Sequence, residues 1–513
     1  MWTSRGDLIP GDWGDARLVV LLLEHGYQAL FGVWPEALTS TPWAYAPNPN
    51  SYFYTETMLG GLPFYVPFRL WLDPFGAFLG WLVLCASLNY IAMTWLLLRG
   101  FKLTWLAAIA GAYLFAFAMP RHIQLMHPQL LPQFLTPICL YFGLRAWQES
   151  KSARSSLLWW ISAGILAAWQ CWACFYLGWF LILGLGGLAL TQVWSKQLRI
   201  TLMDELSQRR KGFALALLAF AIIMVPYVIG YSSAQQVVGE RPYSEISGQI
   251  PRLGNYLLTH PNSMMYASLL TDWSRRMIRM SSLTEGHMFA GFLALLSPFL
   301  IPLWIRRDRL IQNHMLLSAA KWFWLLVVIA TATRTGYGLW YLVAHGVPGG
   351  GAIRSVGRII LLLLIPMSLC LALWVHLWWT QRGAGWKRWL AIGLLGLMVF
   401  ENQMNPMLTF SRQGHAERME HIATAITPQM PCDLFFLRSE ENPDYVHIDA
   451  MWFSMTHRMP TINGRLGNHP PGWDFEDTIS VTHDELKHYL NRDDLKLCDV
   501  RVAVNEATQS PGK

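Results

Sequence analysis

The chain has 513 residues, of which 53% are hydrophobic and only 14% charged, with a net charge of +7. Soluble domains carry about 25% charged residues, so the composition excludes an ordinary soluble enzyme. Apolar runs of roughly the 20 residues needed to cross hydrocarbon recur between residues 75 and 404, and the 27 tryptophans suit two lipid–water interfaces.

In chain order, residues 1–74 form a first segment without a membrane-crossing pattern. "GDWGDAR" (11–17) sets Asp12 and Asp15 among glycines, followed by Arg17. Residues 16–34 are helical in pattern but carry Glu24 and His25, which predicts an amphipathic helix lying in the interface. "PWAYAPNPNSYFY" (42–54) is turn-rich. "GGLPFYVPFRLWLDP" (60–74), apolar and broken by prolines, is expected to dip into the membrane or pack against the helical bundle. Residues 1–10 are too short and polar for a signal peptide. The favoured expectation is that a further helix precedes them, making eleven.

Ten spans follow: 75–98, 103–120, 128–147, 157–172, 173–193, 212–231, 288–305, 316–333, 358–380 and 389–404, with the fourth and fifth turning inside "WQCWACFY". The loops 99–102, 148–156, 194–211, 306–315 and 381–388 hold 15 Lys or Arg in 49 residues; the alternate loops hold 8 in 92. Positive charge favours the cytoplasm. The first segment, the long loops 232–287 and 334–357 and residues 405–513 therefore fall outside, in the periplasm of a bacterial inner membrane. This bias accounts for the net charge without a nucleic-acid partner. Residues 405–513 gain charge and lose apolar runs. "THDELKHYL" (482–490) opens with a capping box and "CDVRVAV" (498–504) alternates like a strand. The predicted fold is an all-α polytopic bundle over 75–404 with a small outer-face α/β domain at 405–513.

Ionisable groups collect on the outer face: Asp12, Asp15 and Arg17; Arg121, His122 and His127 in the turn "MPRHIQLMHPQ"; Glu285 and His287 in "LTEGHMFAG"; Arg354 and Arg358 in "GGGAIRSVGR". The last two, four apart, are expected on one helical face. Charge near bilayer depth is costly and marks functional sites. Arginine provides permanent planar donors for a lipid phosphate, and a carboxylate can take the proton of an acceptor hydroxyl. These are the parts of a sugar transfer from a polyprenyl-phosphate carrier. A divalent metal is open through Asp and His, although no tight ligand spacing stands out. "CWAC" (171–174) lies in an apolar hairpin and reads as packing, whereas Cys432 and Cys498 share the outer tail, where a disulfide is expected.

The stretch "GDWGDARLVVLLLEHGYQAL" resembles the first outer loop of a group of uncharacterised bacterial polytopic membrane proteins. That group is similar to the GT-C superfamily of lipid-linked-sugar glycosyltransferases, which includes oligosaccharyltransferases, protein O-mannosyltransferases and aminoarabinose transferases. The resemblance continues through Arg121–Pro128, "EGHMFAG", Arg354–Arg358 and Glu401. It implies an acidic residue in the first outer loop acting as base or metal ligand, the place of Asp12 and Asp15. Glu56 in "SYFYTETMLGG" stands where the resemblance expects an aspartate. The implied partners are a polyprenyl-phosphate-linked sugar donor, membrane lipid, and an acceptor glycan, lipid or protein. Catalysis is expected from Asp15 and Asp12. Arg17, Glu56, Arg121, His122, His127, Glu285, His287, Arg354 and Arg358 are expected to bind substrate. The same residue types also suit a flippase for lipid-linked glycan, or a non-catalytic envelope protein. A flippase would use the same arginines for phosphate; as purely structural residues, Asp12 and Asp15 would cap the helix at 16 and Arg354 and Arg358 would snorkel at a helix end.

Overall fold

The computed structural model describes residues 7–502 except 35–36, 49, 150–153, 194–195, 268–283, 306–311, 334–336, 381–384, 406–407 and 493. Helices occupy each of the ten predicted stretches: Pro74–Trp95, Trp105–Phe117, Leu135–Gln148, Arg154–Ala173, Phe175–Val193, Arg210–Val238, Phe292–Ile305, Gln312–Ala330, Ile360–Thr380 and Gly385–Glu401. The fourth and fifth break at Cys174, inside the predicted turn. Five helical stretches among the described residues are long and apolar enough to cross a membrane: Pro74–Gly100, Trp105–Met126, Phe175–Gln192, Arg210–Val238 and Val356–Thr380. The other helices are shorter or less apolar. The chain is a multi-pass membrane protein.

Ile360–Thr380 is the axis of the bundle. Its residues 360–375 are all buried, as befits a helix apolar on every side. The helices Trp105–Phe117, Phe292–Ile305 and Gln312–Ala330 pack around it. Gly111 permits one of these approaches, since a Cβ there would stand 2.8 Å from the Ser368 carbonyl oxygen. Small residues at such crossings let backbones meet in lipid. By contrast, Arg210–Val238 has only 11% of its most apolar window buried, a surface suited to lipid.

The first segment departs from expectation. Helix Asp15–Leu30 does not lie exposed in an interface: residues 16–26 are buried. Its Glu24 is neutralised by Arg69, whose Nε and Nη2 reach the two carboxylate oxygens at 2.7 and 3.0 Å, and Tyr65 donates its hydroxyl at 3.1 Å. His25 is bonded between the Leu38 carbonyl and the Trp43 indole. The charges that argued for an interfacial helix are thus matched by partners in sequence-distant turns. Residues Leu62–Arg69 form a short helix against Pro74–Trp95. Arg69 extends from it to Glu24, so the proline-broken stretch packs on the bundle.

The C-terminal region has the predicted α/β content. Strand Leu434–Arg438 runs parallel to Leu497–Arg501, with helices Arg412–Ile426, Pro443–His457 and His483–Leu490 beside them. Thr482 and Glu485 close the capping box, Thr482 Oγ1 accepting from Glu485 N at 3.2 Å and Glu485 Oε2 from Thr482 N at 2.6 Å. Cys432 and Cys498 are joined by a disulfide, Cα–Cα 5.8 Å. This region is not a detached appendage. Strand Thr409–Ser411 pairs antiparallel with Leu8–Pro10. Phe410, Trp452 and Trp473 share one hydrophobic core with Ile9, Leu21 and Trp81.

Candidate functional site

Four segments far apart in sequence meet at the end of the bundle that carries the C-terminal region. Asp15 is the first residue of its helix, where the aligned backbone N–H groups favour a carboxylate. Asp12, in the preceding turn, accepts the Ala16 N–H through Oδ1 at 2.9 Å. His127 follows the short helical turns 119–126. Its Nδ1 is 2.6 Å from Asp15 Oδ2, a close ion pair that is poorly aligned as a hydrogen bond, and its Nε2 is 3.2 Å from Glu285 Oε1. Glu285 sits in the single turn Thr284–Gly286 and is clamped by Arg358, with Nη2–Oε1 2.7 Å and Nε–Oε2 3.2 Å. Gly357 makes this clamp possible: a Cβ there would lie 2.4 Å from the Glu285 carbonyl oxygen. Arg358 also stacks over Tyr176, 4.7 Å from its centroid.

The result is a row of alternating charge, Asp15–His127–Glu285–Arg358, which balances itself. Burial pulls the His127 imidazolium down, as does Arg358, but the Asp15 and Glu285 carboxylates outweigh both and hold its pKa at about 9. Burial alone would raise Glu285; Arg358 and His127 instead drive it far below the usual range. Asp15 is lowered by His127 against the same penalty. Its side chain remains 43% exposed. Two further carboxyls have no cation of their own. Burial, then the charge of Asp15, raises Asp12 to about 6. Burial raises Glu56 to about 7 against the pull of Arg358. One Glu56 oxygen accepts only the Cys174 thiol at 3.6 Å, and the other is buried without a partner.

Several residues expected to bind substrate are committed elsewhere. Arg17 is fully buried and faces the C-terminal region, its Nη2 2.6 Å from Asp449 Oδ1 and 2.8 Å from His415 Nδ1. Arg121 is buried too, donating to the Phe115 carbonyl at 2.8 Å and to Gln133 Oε1 at 2.5 Å. It thereby braces the turn against the bundle. His287 is buried edge-on to His260, centroids 5.1 Å apart. His122 lines a neighbouring cavity rather than the charged row. Arg354 and Arg358 do not share a helical face. The helix begins only at Ile360, and the preceding turns bury Arg358 and leave Arg354 exposed. Arg354 has no side-chain partner among the described residues. Sequence reasoning missed Tyr176 and Arg465, neither of which stands in a motif; the charge of Arg465 also lowers Asp15. It read Cys174 of "CWAC" as packing, although its thiol reaches Glu56.

Asp15 and Glu285 are engaged by His127 and Arg358, and among the described residues no three His, Cys, Asp or Glu side chains converge as ligands.

Residues 31–401 match the profile of the domain of unknown function DUF6311. The chain belongs to that family. Comparison with curated proteins finds no match for this DUF6311 protein. Among solved structures it is similar to the Archaeoglobus fulgidus oligosaccharyltransferase AglB in complex with an inhibitory peptide and a dolichol-phosphate. The identity is 12% and the TM-score 0.47, over 89% of this chain and 61% of that one. The same archaeal enzyme with Zn and sulfate gives 10% identity and TM-score 0.46, over 89% and 59%. ArnT from Cupriavidus metallidurans in the apo state gives 15% and 0.36, over 88% and 81%. The DUF6311 chain thus spans about three fifths of the archaeal enzyme's length. At TM-scores below one half the likeness does not decide the reaction.

Proposed function

We propose that this DUF6311 protein is a membrane glycosyltransferase that moves a sugar from a polyprenyl-phosphate carrier to an acceptor hydroxyl on the outer face of the inner membrane. The observation that carries the reading is the self-balanced row Asp15–His127–Glu285–Arg358 with the uncompensated carboxyl of Asp12 at its end. A general base works best with a pKa near the operating pH, which favours Asp12 over the more acidic Asp15. The acceptor oxygen bonds to the anomeric carbon and its proton passes to Asp12. The bond from that carbon to the phosphate oxygen breaks, and its electron pair leaves with the lipid phosphate. Asp15 fixes His127 and keeps Asp12 basic. Arg354, exposed and unengaged among the described residues, is the cation free to hold the leaving phosphate. The Glu56 oxygen without a partner is suited to a sugar hydroxyl.

The test is transfer of radiolabelled sugar from a polyprenyl-phosphate donor in membranes containing wild-type protein or Asp12→Asn. Loss of a general base costs about 10²–10⁴-fold. Wild-type rates in both Asp12→Asn and Asp15→Asn membranes would sink the assignment, provided that deleting the protein abolishes the product.

A further inference from the structure

A second chamber adjoins the charged row. It has a volume of about 430 Å³ and lies between the strand Leu8–Pro10, the end of helix Trp105–Phe117 and the residues that follow Glu401. Its volume falls in the range of small-molecule sites, roughly 300–1,000 Å³. Among the described residues its lining contains no Asp, Glu, Lys or Arg. The polar groups are neutral or near-neutral: the Tyr113 hydroxyl, the His122 imidazole and the amides of Asn402, Gln403 and Asn405, with Gln403 donating to the Tyr113 hydroxyl and Asn402 bonded to Met119 N and the Met398 carbonyl. His122 Nδ1 is buried without a hydrogen-bond partner. The Asn405 side chain makes no bond among the described residues. Phe117 and Tyr113 add aromatic surface.

The chamber touches the site at two points. Gly11 lines it and precedes Asp12; Leu125 and Met126 line it and precede His127. These walls meet, since a Cβ at Gly11 would stand 3.6 Å from the Leu125 carbonyl oxygen. No residue of the 349–358 segment, which holds Arg354 and Arg358, takes part in the lining.

We infer that this chamber is the acceptor subsite and that it takes a neutral sugar ring. Amides and an imidazole pair with hydroxyls as both donors and acceptors, and aromatic faces cover the C–H face of a pyranose. A phosphorylated or otherwise anionic acceptor would find no Lys or Arg among the described residues of the lining. A donor sugar, joined directly to its phosphate, belongs beside Arg354, away from this chamber. The inference rests on the glycosyl-transfer reading for the word acceptor, while the binding of a neutral sugar is testable without it.

The experiment uses the full chain in lipid nanodiscs and saturation-transfer NMR with neutral methyl glycosides of glucose, galactose and mannose. Asn405→Trp fills the chamber and His122→Phe removes its unpartnered nitrogen. Farnesyl phosphate serves as the donor-side probe, with Arg354→Gln as its control. At least one glycoside is expected to bind, roughly tenfold more weakly in either chamber variant, with farnesyl phosphate binding and thermal unfolding unchanged. Absence of signal from all three glycosides overturns the inference, as does a signal indifferent to both variants. Loss of farnesyl phosphate binding in Asn405→Trp, with unfolding unchanged, would make the chamber a lipid or donor site and also overturn it. If glycosides bind as expected but farnesyl phosphate binds nowhere, the subsite stands and the polyprenyl-phosphate reading falls.

Discussion

Asp15 and Arg17 stand two residues apart on one helix, yet they enter charge clusters of opposite character. Arg17 joins Asp449, Arg418 and Glu441 in a group in which Arg418 bonds both acids, every charge has a partner, and Arg17 and Asp449 are buried. Asp15 joins His127, Glu285 and Arg358 in a row that is balanced but leaves the Asp15 side chain 43% exposed, with Asp12 and Glu56 lacking an ion-pair partner among the described residues. The first cluster fastens the C-terminal region to the helix. The second leaves titratable groups where a ligand can reach them. What separates a structural cluster from a reactive one here is not its number of charges but whether any remain uncompensated and accessible.

This contrast can be broken by substitution. Arg17→Ala takes from the buried Asp449 one of its two arginines, leaving Arg418 to hold it, and a hydrogen bond to a charged group contributes about 1.5–3 kcal/mol. The expected outcome is a fall in thermal unfolding temperature. Asp12→Asn, at a carboxyl with no cation to lose, should leave that temperature nearly unchanged while abolishing transfer. Equal destabilisation by the two would erase the distinction between the clusters.

A pH series sharpens it further. The folded pKa of His127, about 9, lies above its ordinary 6.5. Its stabilising charge is therefore fully present below about pH 6.5 and is lost as pH climbs through 9. The stability difference between wild type and His127→Gln, followed by thermal unfolding, should shrink across that window. Transfer should rise as Asp12 deprotonates near pH 6 and fall near 9. The smallest effect is expected from Arg354→Gln: a raised KM for the lipid donor, with unfolding unchanged, because this exposed side chain supports no other group.

Helix positions were legible in the sequence because apolar runs and the Thr482–Glu485 box are local signals. The partners of charged residues were not. Nothing near Arg17 announces Asp449, 432 residues away. Glu24 suggested an interfacial helix only because Arg69 comes from a separate turn. The spacing of Arg354 and Arg358 matched a helix that starts only at Ile360. The intervening Gly357, required by the close Glu285 carbonyl, was the available hint. Proximity of Asp12 and Asp15 was plain, but their ranking as base depended on burial and on His127, which sequence spacing does not encode.

The pairing of Leu8–Pro10 with Thr409–Ser411 has a consequence for the order in which the protein is made. The loop bearing Asp12 leaves the ribosome before the bundle helices from Pro74 onward, whereas the strand that pairs beside it follows the helix Gly385–Glu401. Asp449, which holds Arg17, emerges later still. During synthesis the loop must wait, already translated, until some four hundred further residues have been threaded and inserted. A chain halted before residue 409 would carry every acid and arginine of the charged row without the strand and helices that hold its first member in register. Assembly of the site thus acts as a check that synthesis has run through the bundle.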